Sequence, residues 1–90
     1  MAKQQSERSV FATIRNIIST ETGTPINKIA SKTPFMSNGN ITFFDCIGVL
    51  FLLQHIFKVE LPESEYAQYK TVRDLARIIH LKTTQPNNQK

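Results

Sequence analysis

The chain has 90 residues, 11 of them Lys or Arg and 7 Asp or Glu, for a net charge of +4. That length fits one small domain around one core. Cys46 is the only cysteine, which excludes a disulfide-stapled scaffold and favours a reducing compartment, so a cytoplasmic location is expected. No run approaches the roughly 18 apolar residues of a membrane span, and the start MAKQQSERS lacks the apolar region of a secretory signal. Two histidines beside one cysteine give no metal-ligand cluster.

The positive charge is spread along the chain. Only Lys70, Arg73 and Arg77 fall at helical spacing on one face. A stripe of that kind reads as a solvated face, and no Gly-rich phosphate loop or aromatic-basic RNA signature accompanies it. Nucleic acid is therefore not the expected partner. A small basic nucleic-acid-binding module stays as an alternative, with an affinity that would fall steeply with salt.

In chain order, residues 1–6 and 83–90 are polar, lack apolar periodicity and read as tails around a domain at 7–82. Phe11, Ile14, Ile17 and Ile18 recur at helical spacing, which predicts a first helix over about 8–21. Ser6 or Ser9 would cap it and Gly23 would end it. Thr22 to Ile41 is rich in turn formers, yet it carries Ile29 and Phe35, which would be wasted in solvent. We expect a long loop pinned to the core by those two residues, with a helical turn near 26–30.

The second helix is the clearest element. Thr42 followed by Asp45 three residues on resembles a capping box, and an apolar run continues to about Phe57. It is apolar on nearly all sides, and Gly48 in its middle costs roughly 1 kcal/mol against Ala unless close packing compensates. Pro62 suits the first position of a short third helix over 63–69, where Tyr66 and Tyr69 would pack inward. Thr71 and Asp74 form another capping box, opening a fourth helix with Val72, Leu75, Ile78 and Ile79 on its apolar face. His55 and His80 read as surface or cap residues.

This pattern resembles the acyl carrier protein family over about residues 10–81. Ile14, Ile17, Ile18 and Gly23 match the family's first helix and its terminator. Ile29 and Phe35 match the anchors of its long loop, and Leu53 and Phe57 the inner face of its second helix. The phrase Phe57-Lys58-Val59-Glu60-Leu61-Pro62-Glu63-Ser64-Glu65 and the run Thr71-Val72-Arg73-Asp74-Leu75 match its entry into the third and last helices. The resemblance implies an all-α, four-helix bundle with a long loop between helices one and two and a short third helix.

It also implies a chemistry that this sequence departs from. The family attaches phosphopantetheine to a serine in an Asp-Ser-Leu motif at the start of the second helix. Here the matching triplet is Thr42-Phe43-Phe44, so Phe43 stands at the serine position. A phenyl ring has no oxygen to esterify, and no phosphopantetheine is expected. The alternative is a genuine carrier that uses Ser37 or Thr42. Thr42 is β-branched and assigned to the cap, and placing Ser37 at the attachment point would cost the match at Phe35. Cys46 has no activating neighbour in sequence and reads as structural. The family is commonly acidic, with carboxylates along its second helix; this chain retains Asp45 there and the cluster Glu60, Glu63 and Glu65, but has the opposite net charge.

With Leu53 and Phe57 inward, Phe43, Ile47 and Phe51 fall at i, i+4 and i+8, with Phe44 beside them. These four are the expected partner-binding residues. Two other arrangements are open: the long loop covers the stripe through Met36 or Ile41, or Phe43 turns inward and plugs the space where the family holds cargo. No catalytic constellation is present. The expectation is a non-enzymatic, non-carrying accessory subunit, in lipid or polyketide biosynthesis, meeting a protein partner or a second copy through helix two.

Overall fold

Ser6 opens the first helix: its hydroxyl accepts the Ser9 amide at 3.0 Å, satisfying one of the donors a helix start leaves unpaired. This helix, α1, runs Glu7–Thr22 and buries Val10, Ile14 and Ile18, each four residues after the last. Gly23 ends it in the left-handed conformation (φ 77°), its N–H donating to the Ser19 carbonyl. The computed structural model describes residues 6–36 and 39–84. Of the tails expected at 1–6 and 83–90, Ser6 is a cap and Thr83 and Thr84 belong to the last helix, while 1–5 and 85–90 lie outside the described residues.

The long connection is a built part of the domain. A 3₁₀ turn spans Ile26–Lys28, and Ile29 and Phe35 are both buried in the core, as their apolar character predicts. Three backbone bonds stitch the connection to the start of the last helix. Phe35 N–H donates to the Lys70 carbonyl at 2.8 Å, Val72 N–H to Thr33 at 2.9 Å and Arg73 N–H to Ser31 at 3.0 Å. The last two occupy amide donors of the helix's first turn, which otherwise need side chains or water. Pro34 and Thr71 form an antiparallel bridge at the same place.

The second helix, α2, runs Phe43–Phe57. The Thr42 hydroxyl accepts the Asp45 amide at 3.0 Å, as the cap pattern predicts. Cys46, Val49, Leu50, Leu53 and Phe57 face the core. Lys58 closes the helix in the left-handed region (φ 56°), and the Gln54 side chain accepts the Leu61 amide at 2.8 Å, fixing the turn that follows.

The expected short third helix is 3₁₀ over Glu63–Gln68. Six residues ending in an i→i+3 bond from Tyr69 N–H to the Tyr66 carbonyl make two tight turns, a length at which 3₁₀ geometry competes well. The segment is anchored by Tyr69, fully buried, whose hydroxyl donates to Glu65 Oε1 at 2.7 Å. Glu65 Oε2 in turn pairs with Lys82 at 3.1 Å, tying the segment to the last helix.

That last helix, α3, runs Val72–Thr84, two residues beyond the expected domain limit. Its capping box is reciprocal: Asp74 N–H donates to the Thr71 hydroxyl (3.1 Å) and Thr71 N–H to the Asp74 carboxylate (3.2 Å). Val72, Leu75, Ala76 and Ile79 are buried, with Ile78 partly so. α1 packs on both α2 and α3 and is the common wall of the core. Over the described residues the result is an all-α domain of three α-helices and the 3₁₀ segment Glu63–Gln68, with a long α1–α2 connection that holds its own short 3₁₀ turn.

Candidate functional site

The apolar surplus of α2 ends up in solvent. Its inward line satisfies the core, so the remaining hydrophobes have no neighbour to bury them. Phe43 is 62% exposed, Phe44 84% and Phe51 67%, and Ile47 is half-buried at the edge. The outward face centres on Phe44 and Phe51, because at 100° per residue these lie opposite Val49 and Leu53. Phe43 and Ile47 form one border of that face. The four residues expected to bind a partner therefore share one side of α2, with Phe44 more prominent than its place beside the stripe suggests.

Two sequence expectations for this face are corrected. The loop does not cover it: Ile41 turns into the core and Met36 packs partly against it, leaving Phe43 in solvent. Nor does Phe43 plug the space between the helices. It occupies the first position of α2, directly after the Thr42 cap, and is largely exposed there.

Gly48 lies on the same face. A Cβ built there meets nothing within 4 Å. Among the described residues, no close packing accounts for a glycine at the middle of this helix.

Of the nucleophile candidates, the two among the described residues, Thr42 and Cys46, are occupied or shielded. Thr42 Oγ accepts the Asp45 amide as the cap, and Ser37 lies outside the described residues. Cys46 is fully buried. Burial pushes its thiol above the ordinary value; the Met36 amide, 3.3 Å from Sγ, pulls it down, and the Asp45 carboxylate pushes it up again. A buried thiol held protonated is a poor nucleophile. Among the described residues, no group of His, Cys, Asp and Glu is arranged to hold a metal ion.

The basic stripe is shorter than its spacing suggests. Lys70 lies before α3, next to the Pro34–Thr71 bridge, and only Arg73 and Arg77 stand on the helix. Arg73 lines a shallow cleft of about 320 Å³ with Arg8, Glu7, Phe11, Ser31 and Ala76. The cleft sits between the first turns of α1 and α3 and draws no residue from α2. Sequence reasoning missed it because its residues come from three separate segments brought together by the loop bonds at Ser31 and Thr33.

The architecture is acyl-carrier-like: an all-α domain whose long first connection leads to a capped second helix. The sequence comparison agrees at a distance. Over 70 residues, 78% of this chain, it is 29% identical to the acyl carrier proteins of Borreliella burgdorferi strains ZS7 and ATCC 35210, covering 88% of their length. It is 29% identical over the same span to the acyl carrier protein of Borrelia garinii subsp. bavariensis. No family model matches the chain. Among the described residues, no helix is long and apolar enough to cross a membrane.

Proposed function

We propose that this chain is an acyl-carrier-like domain that carries no prosthetic group and acts by protein–protein contact through α2. The observation that supports this most directly is Phe43. It is exposed at the first position of α2, next to the Thr42 cap, where the resemblance places the modified serine. Its neighbours on that face, Phe44, Ile47 and Phe51, offer apolar area where a carrier would offer carboxylates. Apolar patches of this kind on a small domain mark partner surfaces. The domain proper spans residues 7–82, with α3 reaching slightly further. It supplies recognition and not catalysis, a reading that follows from the carrier resemblance. Partners in lipid or polyketide synthesis follow from the carrier resemblance alone.

Intact mass after co-expression with a broad-specificity phosphopantetheinyl transferase tests the reading, with Phe43→Ser in parallel. The native chain should gain no mass, and Phe43→Ser should gain the phosphopantetheine arm. A mass gain by the native chain overturns the proposal. Peptide mapping would then separate Ser37 from Thr42 as the carrier hydroxyl.

A further inference from the structure

The cleft between the first turns of α1 and α3 gathers charge that the fold does not use. Arg8 reaches it from the start of α1 and Arg73 from the start of α3. Neither guanidinium has a carboxylate within ion-pair distance; among the described residues the ion pair is Lys82–Glu65. Glu7 lines the same cleft, yet it stands outside that distance from both arginines. Two like charges lining one opening repel each other, so their convergence is a cost to the chain and an advantage to an anion.

The lining is ordered by the helix repeat. Each helix contributes an arginine in its first turn and, three residues on, an apolar residue on the same face: Arg8 then Phe11, Arg73 then Ala76. Phe11 is half-buried and Ala76 fully buried. The cleft is therefore cationic at the helix starts and apolar one turn further in. Its parts are held in place. The Arg15 guanidinium lies 5.7 Å over the Phe11 ring, and the Arg73 amide donates to the Ser31 carbonyl at 3.0 Å, which fixes the loop at the rim. α1 and α3 pack directly on each other.

We propose that this cleft binds a small organic carboxylate, with the carboxylate between Arg8 and Arg73 and a short apolar or aromatic body along Phe11 and Ala76. Guanidinium groups match the planar carboxylate in geometry as well as charge. Two cations set against Glu7 leave one positive charge to neutralise, which favours a monoanion over a doubly charged phosphate. The volume of about 320 Å³ is near the lower limit of small-molecule sites, about 300 Å³, and the cleft is shallow. The ligand is therefore small and weakly held, with a dissociation constant on the order of 1 mM. A free organic acid offers this chemistry, and so does a polypeptide C-terminus that ends in an apolar residue. The site draws no residue from α2, so it and the reading of that helix can fail separately.

Titration of the isotope-labelled full chain with phenylacetate at low ionic strength, followed by amide chemical shifts, tests this. We expect saturable shifts at Arg8, Phe11, Ser31, Arg73 and Ala76. Phenylacetamide, which lacks the charge, and inorganic phosphate, which lacks the apolar body, should each bind at least about fivefold more weakly. Arg8→Gln and Arg73→Gln should each weaken phenylacetate at least about fivefold. Arg77→Gln, one turn beyond Arg73 and outside the lining, should change it by less than about twofold. Glu7→Gln removes a like charge and should tighten binding by about twofold. The three arginines are exposed, so circular dichroism should show an unchanged fold in their variants. Acetyl-glycyl-phenylalanine with a free carboxylate separates the two sources: tighter binding than phenylacetate assigns the site to a chain terminus, weaker binding to a free acid. Shifts that do not saturate, shifts scattered over the basic surface, or equal affinity for phosphate overturn the proposal. So does weaker binding by Glu7→Gln, which would mean that the ligand presents a cation to that acid.

Discussion

At the residue scale, two of the three glycines behave oppositely, and the difference lies in what surrounds them. A Cβ at Gly48 meets open space in a regular helix. Gly48→Ala should therefore raise stability by up to about 1 kcal/mol, through helix propensity alone. At Gly39 a Cβ would stand 2.9 Å from Cβ of Pro34, whose ring is too stiff to yield. Gly39→Ala should lower stability by about 1–3 kcal/mol, the range of an overpacked contact. Chemical denaturation of both variants checks the pair; equal effects would mean that the loop near Pro34 yields more easily than its packing implies. Sequence reasoning could see that Gly48 is costly, but not that no described residue packs against it, because that requires knowing which way the face points.

At the element scale, the α1–α2 connection carries more of the fold than its composition suggests. Turn formers mark it as a loop, and Ile29 and Phe35 mark it as pinned; both features were legible in the sequence. The stitching was not. The bonds from Phe35, Val72 and Arg73 are made by backbone groups, which every residue possesses, so no side-chain pattern announces them. The connection and α3 therefore form one unit. Phe35→Ala should cost about 3–5 kcal/mol as a buried aromatic is lost. It should also raise amide exchange at Val72 and Arg73, whose acceptors lie on the same stretch of loop. Loss of stability without faster exchange at those two amides would mean that the loop and the helix open separately. The third helix shows the converse limit. Its position and inward tyrosines were readable, but its 3₁₀ winding depends on Tyr69 reaching both the core and Glu65.

At the scale of the whole molecule, the link from Tyr69 through Glu65 to Lys82 couples global stability to alkaline pH. Burial holds the Tyr69 phenol above its ordinary value, and its bond to Glu65 adds to the effect. Below about pH 10 the phenol is protonated in both folded and unfolded chains, and its contribution is intact. Above that, the unfolded chain loses the proton first, so stability falls by about 1.4 kcal/mol per pH unit until the folded phenol also ionises. Tyr69→Phe should remove this one-proton slope while leaving the ring buried. Urea unfolding between pH 8 and pH 11.5 reads it directly. An unchanged slope would show that other groups govern the alkaline loss.

The sequence by itself determined where the helical segments lie, the caps at Ser6, Thr42 and Thr71, part of the core, and the absence of a hydroxyl at Phe43. Each is local: periodicity, a Thr or Ser three residues before an amide, or the side chain at one position. On α1 the sequence marked Phe11 and Ile17 beside Ile14 and Ile18, whereas the buried line is Val10, Ile14 and Ile18. Only the tertiary structure decided that α2 turns Phe44 and Phe51 outward around an unfilled Gly48. The same holds for the loop, which leaves that face bare and closes on α3, and for the burial of Cys46. A helix apolar on nearly all sides gives no periodic signal for its inner face. α1 and the loop choose that face by offering one surface to pack against, and whatever they leave uncovered stays in solvent.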